Sequence, residues 1–256
     1  SPRKPRTARF NNPKEAAVLG TLINVAAIFI GGFIGLFAGQ KIPARFRQTL
    51  VSGMGLFTLA NGIYLFTQTQ NVLIPLGALV LGTVAGEFLK LEERLENLGA
   101  VLERKLNWTS QTQSADTQRF IYGFVTASLL FCIGPMAILG SIQDGVSGNF
   151  QTLAVKSLLD GLASVAFASS LGVGVLFSAL PVLVYQGGIS LVARVSGQGF
   201  DPSAMTEMTA VGGVILIGIA ISNLLEIKKI RTGSFLPALI FAVLIVISLN
   251  ALGVSY

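Results

Sequence analysis

Lys156 and Asp160 stand four residues apart inside a stretch, Leu153–Leu171, that is otherwise apolar or small. On a helix that spacing puts the ammonium and the carboxylate on one face and within reach of each other. A charge at the centre of a bilayer helix costs about 2.5–3.5 kcal/mol on insertion scales, so such residues face a bundle interior and are functional suspects by default. Two readings of the pair follow. A proton or a substrate charge could neutralise or split it, as coupled transport requires; or it is a static clamp that lets a charged segment insert. Other polar residues fall within or beside apolar stretches: Asn24, Asn61, Glu87, Asp144 and Gln186. With Lys156 and Asp160 they form the candidate solute or ion pathway. Asp160 is its proton- or cation-responsive carboxylate, Lys156 the partner, and Glu87 a gate or proton site at one end. Glu207 reads instead as an acid at a helix N-terminus, after the start signal Asp201-Pro202-Ser203.

Several chemistries are excluded. With no histidine, the chain has no imidazole base, no His-ligated zinc or haem and no Ser/Cys–His triad. The single cysteine, Cys132, makes neither an intramolecular disulfide nor a thiolate metal site. No nucleophile–base pair, phosphate loop or metal-ligand cluster stands out, so no catalytic residue, no metal and no cofactor is assigned. Nothing points to an enzyme or to nucleic acid. Gly140–Asn149 reads as an ordinary turn, without the alternating acids and closing Glu of a calcium loop.

The elements that must position these residues are membrane helices. Of 256 residues, 52% are hydrophobic and 12% charged, about half the charge of a soluble domain. Charges and turn residues cut the chain into Ala16–Gly39, Leu50–Phe66, Val72–Phe88, Phe120–Gly140, Leu153–Leu171, Val173–Val195, Met208–Leu225 and Phe235–Leu252. This predicts an all-α, polytopic helical membrane protein with seven to eight transmembrane helices in one domain, residues 16–256, behind a basic tail, residues 1–15. The break between the fifth and sixth segments rests on Gly172 and Gly174 alone. Pro181 is a candidate kink, and Gln186 with Gly187-Gly188 a candidate break, in the sixth. Between the third and fourth segments, Leu91, Leu95, Leu98, Leu102 and Leu106 recur among charges, which predicts an amphipathic helix over 89–106 near an interfacial Trp108. A Ser/Thr/Gln-rich loop follows over 107–118.

Small residues recur at steps of four. Gly31, Gly35 and Gly39 share a face of the first segment, Ala78, Gly82 and Gly86 one of the third, and Gly218 with Ser222 echoes them in the seventh. Such glycine-zipper faces let helix backbones approach closely. Each ends in a polar residue (Gln40, Glu87, Asn223), which fits an internal repeat; convergence on one packing solution is the alternative. Lys and Arg collect on one side: Lys41, Arg45, Arg47, Lys90, Arg94, Arg104, Lys105, Arg119, Lys228, Lys229 and Arg231, against Arg194 alone in the loops opposite. The positive-inside rule makes the first side cytoplasmic and eight spans put both termini outside, while the basic tail favours the inside. A first segment broken at Gly31-Gly32 would reconcile the two.

From Gly20-Thr-Leu-Ile-Asn24-Val onward the chain resembles a known family, the YdfK/YqgA-like bacterial membrane proteins (domain of unknown function 554). The resemblance covers nearly all of Leu19–Leu252. It is carried by Leu76-Gly-Ala-Leu, Cys132-Ile-Gly134-Pro-Met136-Ala-Ile-Leu-Gly140-Ser-Ile-Gln143-Asp144-Gly145, Lys156-Ser-Leu-Leu-Asp160-Gly161 and Tyr185-Gln186-Gly187. It implies a bacterial inner-membrane protein without an established substrate, in which the basic tail is an extension; an organelle or thylakoid-type membrane is the other location the tail allows. The expected function is transport of a small solute or ion. The alternative is a non-transporting assembly subunit that binds lipid, a second copy or a larger membrane complex through its glycine faces and the amphipathic helix.

Overall fold

A computed structural model of the chain describes residues 18–106, 114–197 and 201–253. The basic tail, Trp108 and most of the expected 107–118 loop lie outside them. The described residues are helical, in eleven α-helices: α1 (Leu19–Lys41), α2 (Ala44–Phe66), α3 (Leu73–Phe88), α4 (Leu91–Leu106), α5 (Ser114–Cys132), α6 (Pro135–Ser147), α7 (Gln151–Leu171), the single turn α8 (Gly174–Phe177), α9 (Ala179–Ser196), α10 (Pro202–Ile219) and α11 (Pro237–Ala251). Six helical stretches are long and apolar enough to cross a membrane, and eight if each of two bent pairs counts as one span. The protein is an all-α polytopic membrane protein.

Helix pairing follows the small residues. A side chain on Gly31, Gly35 or Gly39 would run into the backbone of Gly161, Val165 or Ser169, so α1 and α7 lie against each other, parallel and in register. Gly62 meets Gly213 and Gly55 meets Leu224, which sets α2 antiparallel to α10. Gly82 meets Ala238 and Gly86 meets Ser234, which sets α3 antiparallel to α11. In a bilayer such backbone contact supplies the packing that the hydrophobic effect supplies in water. The large apolar residues left exposed, among them Phe57, Leu73, Val84, Leu158 and Val184, form the lipid-facing surface.

Several local expectations change. α1 runs unbroken through Gly31-Gly32, because both glycines serve packing, against Gly161 and Leu176. At about 1.5 Å per residue its 23 residues exceed the roughly 30 Å hydrocarbon core. The fourth segment bends by 61° at Gly134-Pro135. Gly134 has φ +146°, a conformation open to glycine, and Pro135 opens the next helix. Gly140–Ser147, read as a turn, is helix: Gly140 and Gly145 bring α6 against Leu153 and the Ser190 backbone. The chain turns only after Gly148, at φ +69°.

The fifth and sixth segments part at Gly172 (φ +86°), where the glycines predict it, and the sixth runs as one helical stretch over Gly174–Ser196. Pro181 sits harmlessly in the first turn of α9, and Gln186-Gly187-Gly188 is continuous helix. α4 begins at Leu91, 53° off α3, and α5 already starts at Ser114, inside the expected loop.

The basic loops gather at one end of the bundle. Arg47 and Arg119 donate to the carbonyls of Ser169 and Ser170, Arg231 pairs with Glu87 at 2.9 Å, and the Gly233 N–H donates to Glu92 at 2.6 Å. This is the basic end; the starts of α1, α3, α7 and α10 mark the opposite end.

Candidate functional site

Four helices surround a buried polar column that starts at the opposite end and runs toward the bundle centre. α1 contributes Thr21 and Asn24, α6 contributes Asp144, α7 contributes Lys156, Asp160 and Ser164, and α9 contributes Gln186 and Ser190. The spacings, three on α1 and four on α7 and α9, stack each set on one helix face. All eight residues are at most 8% exposed. Lys156 donates to Asp160 within α7. The Asn24 amide bridges the helices, donating to the Asp160 carboxylate at 2.9 Å and to the Gln186 side-chain carbonyl at 3.2 Å. The Lys156 ammonium also lies 6.0 Å from the centre of the Phe131 ring, within cation–π range.

Hydrogen bonding in the column is incomplete. Thr21 Oγ1, Asn24 Oδ1, Asp144 Oδ1, Ser164 Oγ, Gln186 Nε2 and Ser190 Oγ are buried without a protein partner. The large majority of buried side-chain polar atoms in folded proteins are paired, and an unpaired one costs about 1–3 kcal/mol. Six in one column, five of them oxygens, form a lining suited to water, a cation or a polar solute.

The acids of the molecule divide by what holds them. Asp144 accepts the N–H of Gly20 at 3.0 Å and so closes the start of α1, where first-turn N–H groups lack intrahelical acceptors. Glu207, fully buried, accepts the Thr69 hydroxyl at 2.6 Å and the N–H groups of Gln70 and Asn71, which ties α10 to the turn between α2 and α3. The α4 residue Glu92, outside the spans, is held by Gly233 in the same way; burial pushes its carboxyl above the usual range against that N–H. Each of these carboxylates grips at least one backbone N–H. Asp160 instead is held by two side chains, Lys156 and Asn24, both able to change rotamer or charge.

Of the seven pathway candidates, five (Asn24, Asp144, Lys156, Asp160, Gln186) meet in this column. Asn61 is half-buried on α2, which packs against α10, and Glu87 lies at the basic end with Arg231. The family model described as a protein of unknown function, DUF554, matches residues 19–247. The chain belongs to that family. Among DUF554 relatives, the uncharacterized membrane protein YdfK of Bacillus subtilis is 30% identical over 243 residues, 93% of this chain and all of the relative. The uncharacterized protein YqgA of Escherichia coli is 31% identical over 225 residues, 88% of this chain and 94% of the relative. No solved structure matches.

The DUF554 matching region contains every residue of the column. Sequence reasoning missed Thr21, Ser164 and Ser190, since a hydroxyl inside an apolar helix is usually satisfied by a carbonyl one turn back, as Ser157 and Ser141 are. The signal that could have found them is the spacing: Ser164 continues the Lys156/Asp160 face by one turn, and Ser190 continues Gln186. Glu207 was placed near a helix start, but α10 begins five residues earlier, at Pro202, and Asp201 does the capping by accepting the Ser203 N–H.

Proposed function

We propose that this membrane protein transports a small solute or ion, with the α1/α6/α7/α9 column as its occluded polar site. The observation that carries the reading is the six unpaired buried polar atoms beside a carboxylate held by side chains alone. A predominance of oxygens favours a proton or a hard monovalent cation, taken up alone or with a solute. Protonation of Asp160, or arrival of a cation beside it, releases Lys156 and breaks the Asn24 bridge, which loosens α1 from α7 and α9. The broken pair α5/α6 supplies a discontinuous helix of the kind that lines transporter sites. With the basic end cytoplasmic, by the positive-inside rule, the column opens toward the external side.

A second reading, a non-transporting assembly subunit for a larger membrane complex or a second copy, is favoured by the backbone contact of α1 with α7, which leaves the pair packed as a clamp. The two readings separate in proteoliposomes. An uptake panel of monovalent cations and small solutes, run with and without a proton gradient, should show flux in the wild type. Asp160→Asn should lose most of that flux while remaining folded. No flux in either protein with any compound supports the assembly subunit, and equal flux in both overturns the role given to Asp160.

A further inference from the structure

A cavity of about 480 Å³ lies at the basic end, beyond the end of the polar column and outside the function proposed above. Its volume falls in the roughly 300–1,000 Å³ range of ligand sites. One wall is apolar and comes from the end of α1: Phe33, Leu36 and Phe37. Phe33 and Phe37 are each 57% exposed on the lipid-facing surface, with ring centres 4.8 Å apart. The other wall is basic. Arg47 of α2 and Arg119 of α5 converge on the last turn of α7, donating to the Ser169 and Ser170 carbonyls at 3.1 and 2.7 Å.

Each guanidinium has five N–H donors and spends one on these bonds. Arg47 Nε is buried with no partner, and no carboxylate among the described residues lines the cavity. Closing a helix end therefore accounts for part of the arrangement, and both guanidiniums still face a cavity whose described lining holds no carboxylate. A ligand that satisfies both walls carries phosphate at one end and hydrocarbon at the other.

We propose that this cavity is a binding site for one anionic phospholipid of the leaflet at the basic end. Its phosphate sits between Arg47 and Arg119, and an acyl chain lies along Phe33 and Phe37. Arginine pairs of this kind hold phosphate oxygens through forked, charge-assisted hydrogen bonds, and basic pockets between membrane helices recognise anionic headgroups. The apolar wall opening sideways to lipid favours a membrane source over soluble phosphate.

The test is native mass spectrometry of the detergent-purified full chain titrated with phosphatidylglycerol and with phosphatidylcholine of the same acyl chains. One phosphatidylglycerol should bind at least about tenfold more tightly than phosphatidylcholine. Arg47→Gln with Arg119→Gln should abolish that preference, while Lys228→Gln with Lys229→Gln, an equal charge loss at the same end, should keep it. If the double arginine variant does not fold, Arg119→Gln alone is read, with a smaller loss of preference expected. Equal loss in the lysine and arginine variants, no preference in the wild type, or displacement of the lipid by millimolar inorganic phosphate would overturn the proposal.

Discussion

The pairs α1/α7 and α3/α11 are joined by the same device and enclose different things. In both, small residues four apart press one helix onto the backbone of the other: Gly31, Gly35 and Gly39 onto α7, Gly82 and Gly86 onto α11 and the turn before it. The α3/α11 seam is apolar through its centre, with Ala78, Ala238, Leu239 and Ala242 in the core, and its polar groups, Ser234 and the Glu87–Arg231 ion pair, gather at the basic end. Beside the α1/α7 seam runs the column of Asn24, Lys156 and Asp160, with unpaired atoms above and below it. Close glycine packing is thus a general means of assembling this bundle and says nothing of function by itself. What distinguishes one seam is the polar material that insertion energetics would otherwise remove.

That contrast can be broken or sharpened by substitution. The largest effect belongs to the buried pair. Asp160→Ala strands the Lys156 ammonium and should cost about 3–5 kcal/mol of stability, whereas Lys156→Met combined with Asp160→Leu should recover most of it. Equilibrium unfolding in mixed micelles checks this, and a double variant as weak as the single one would mean that the pair is not the source. Next come the seams themselves. Gly35→Leu and Gly82→Leu force backbones apart and should each cost at least about 1–3 kcal/mol. Both should lower the melting temperature, but only Gly35→Leu should also change transport, because only that seam borders the column. Smallest is Glu87→Gln. Its partner Arg231 is solvent-exposed, so melting temperature and transport should both stay at wild-type values. A transport defect there would move the pathway toward the α3/α11 side.

The apolar segments and the Lys156/Asp160 pair were legible in the sequence because bilayer cost makes every intramembrane charge conspicuous. The small-xxx-small spacing likewise named the contact faces of α1 and α3 before any partner was known. What was not legible is pairing. Nothing in the spacing of Asn61 separates it from Asn24; the difference is that α1 packs beside α7 and α9 while α2 packs against α10. Gly140–Asn149 read as a turn because Gly, Asp and Ser are turn formers, yet the same small residues let α6 lie against α7 and α9, and Asp144 accepts a hydrogen bond from another helix. Gly134-Pro135 gave the opposite error: the apolar run continues through it and hid a 61° bend.

The central claim, that the occluded column opens to water from the side at which α1 begins and is not a sealed clamp, is tested most directly by thiol accessibility in liposomes. In a Cys132→Ser background, Gln186→Cys and Ser190→Cys should react with a small, membrane-impermeant thiol reagent added from the side at which α1 begins. Reaction should slow when Asp160→Asn is added, because the carboxylate can no longer change charge. Ala78→Cys, fully buried in the α3/α11 seam, should stay unreactive. Cysteines at 186 and 190 as inert as the one at 78, in a protein that remains folded and inserted, would contradict the account.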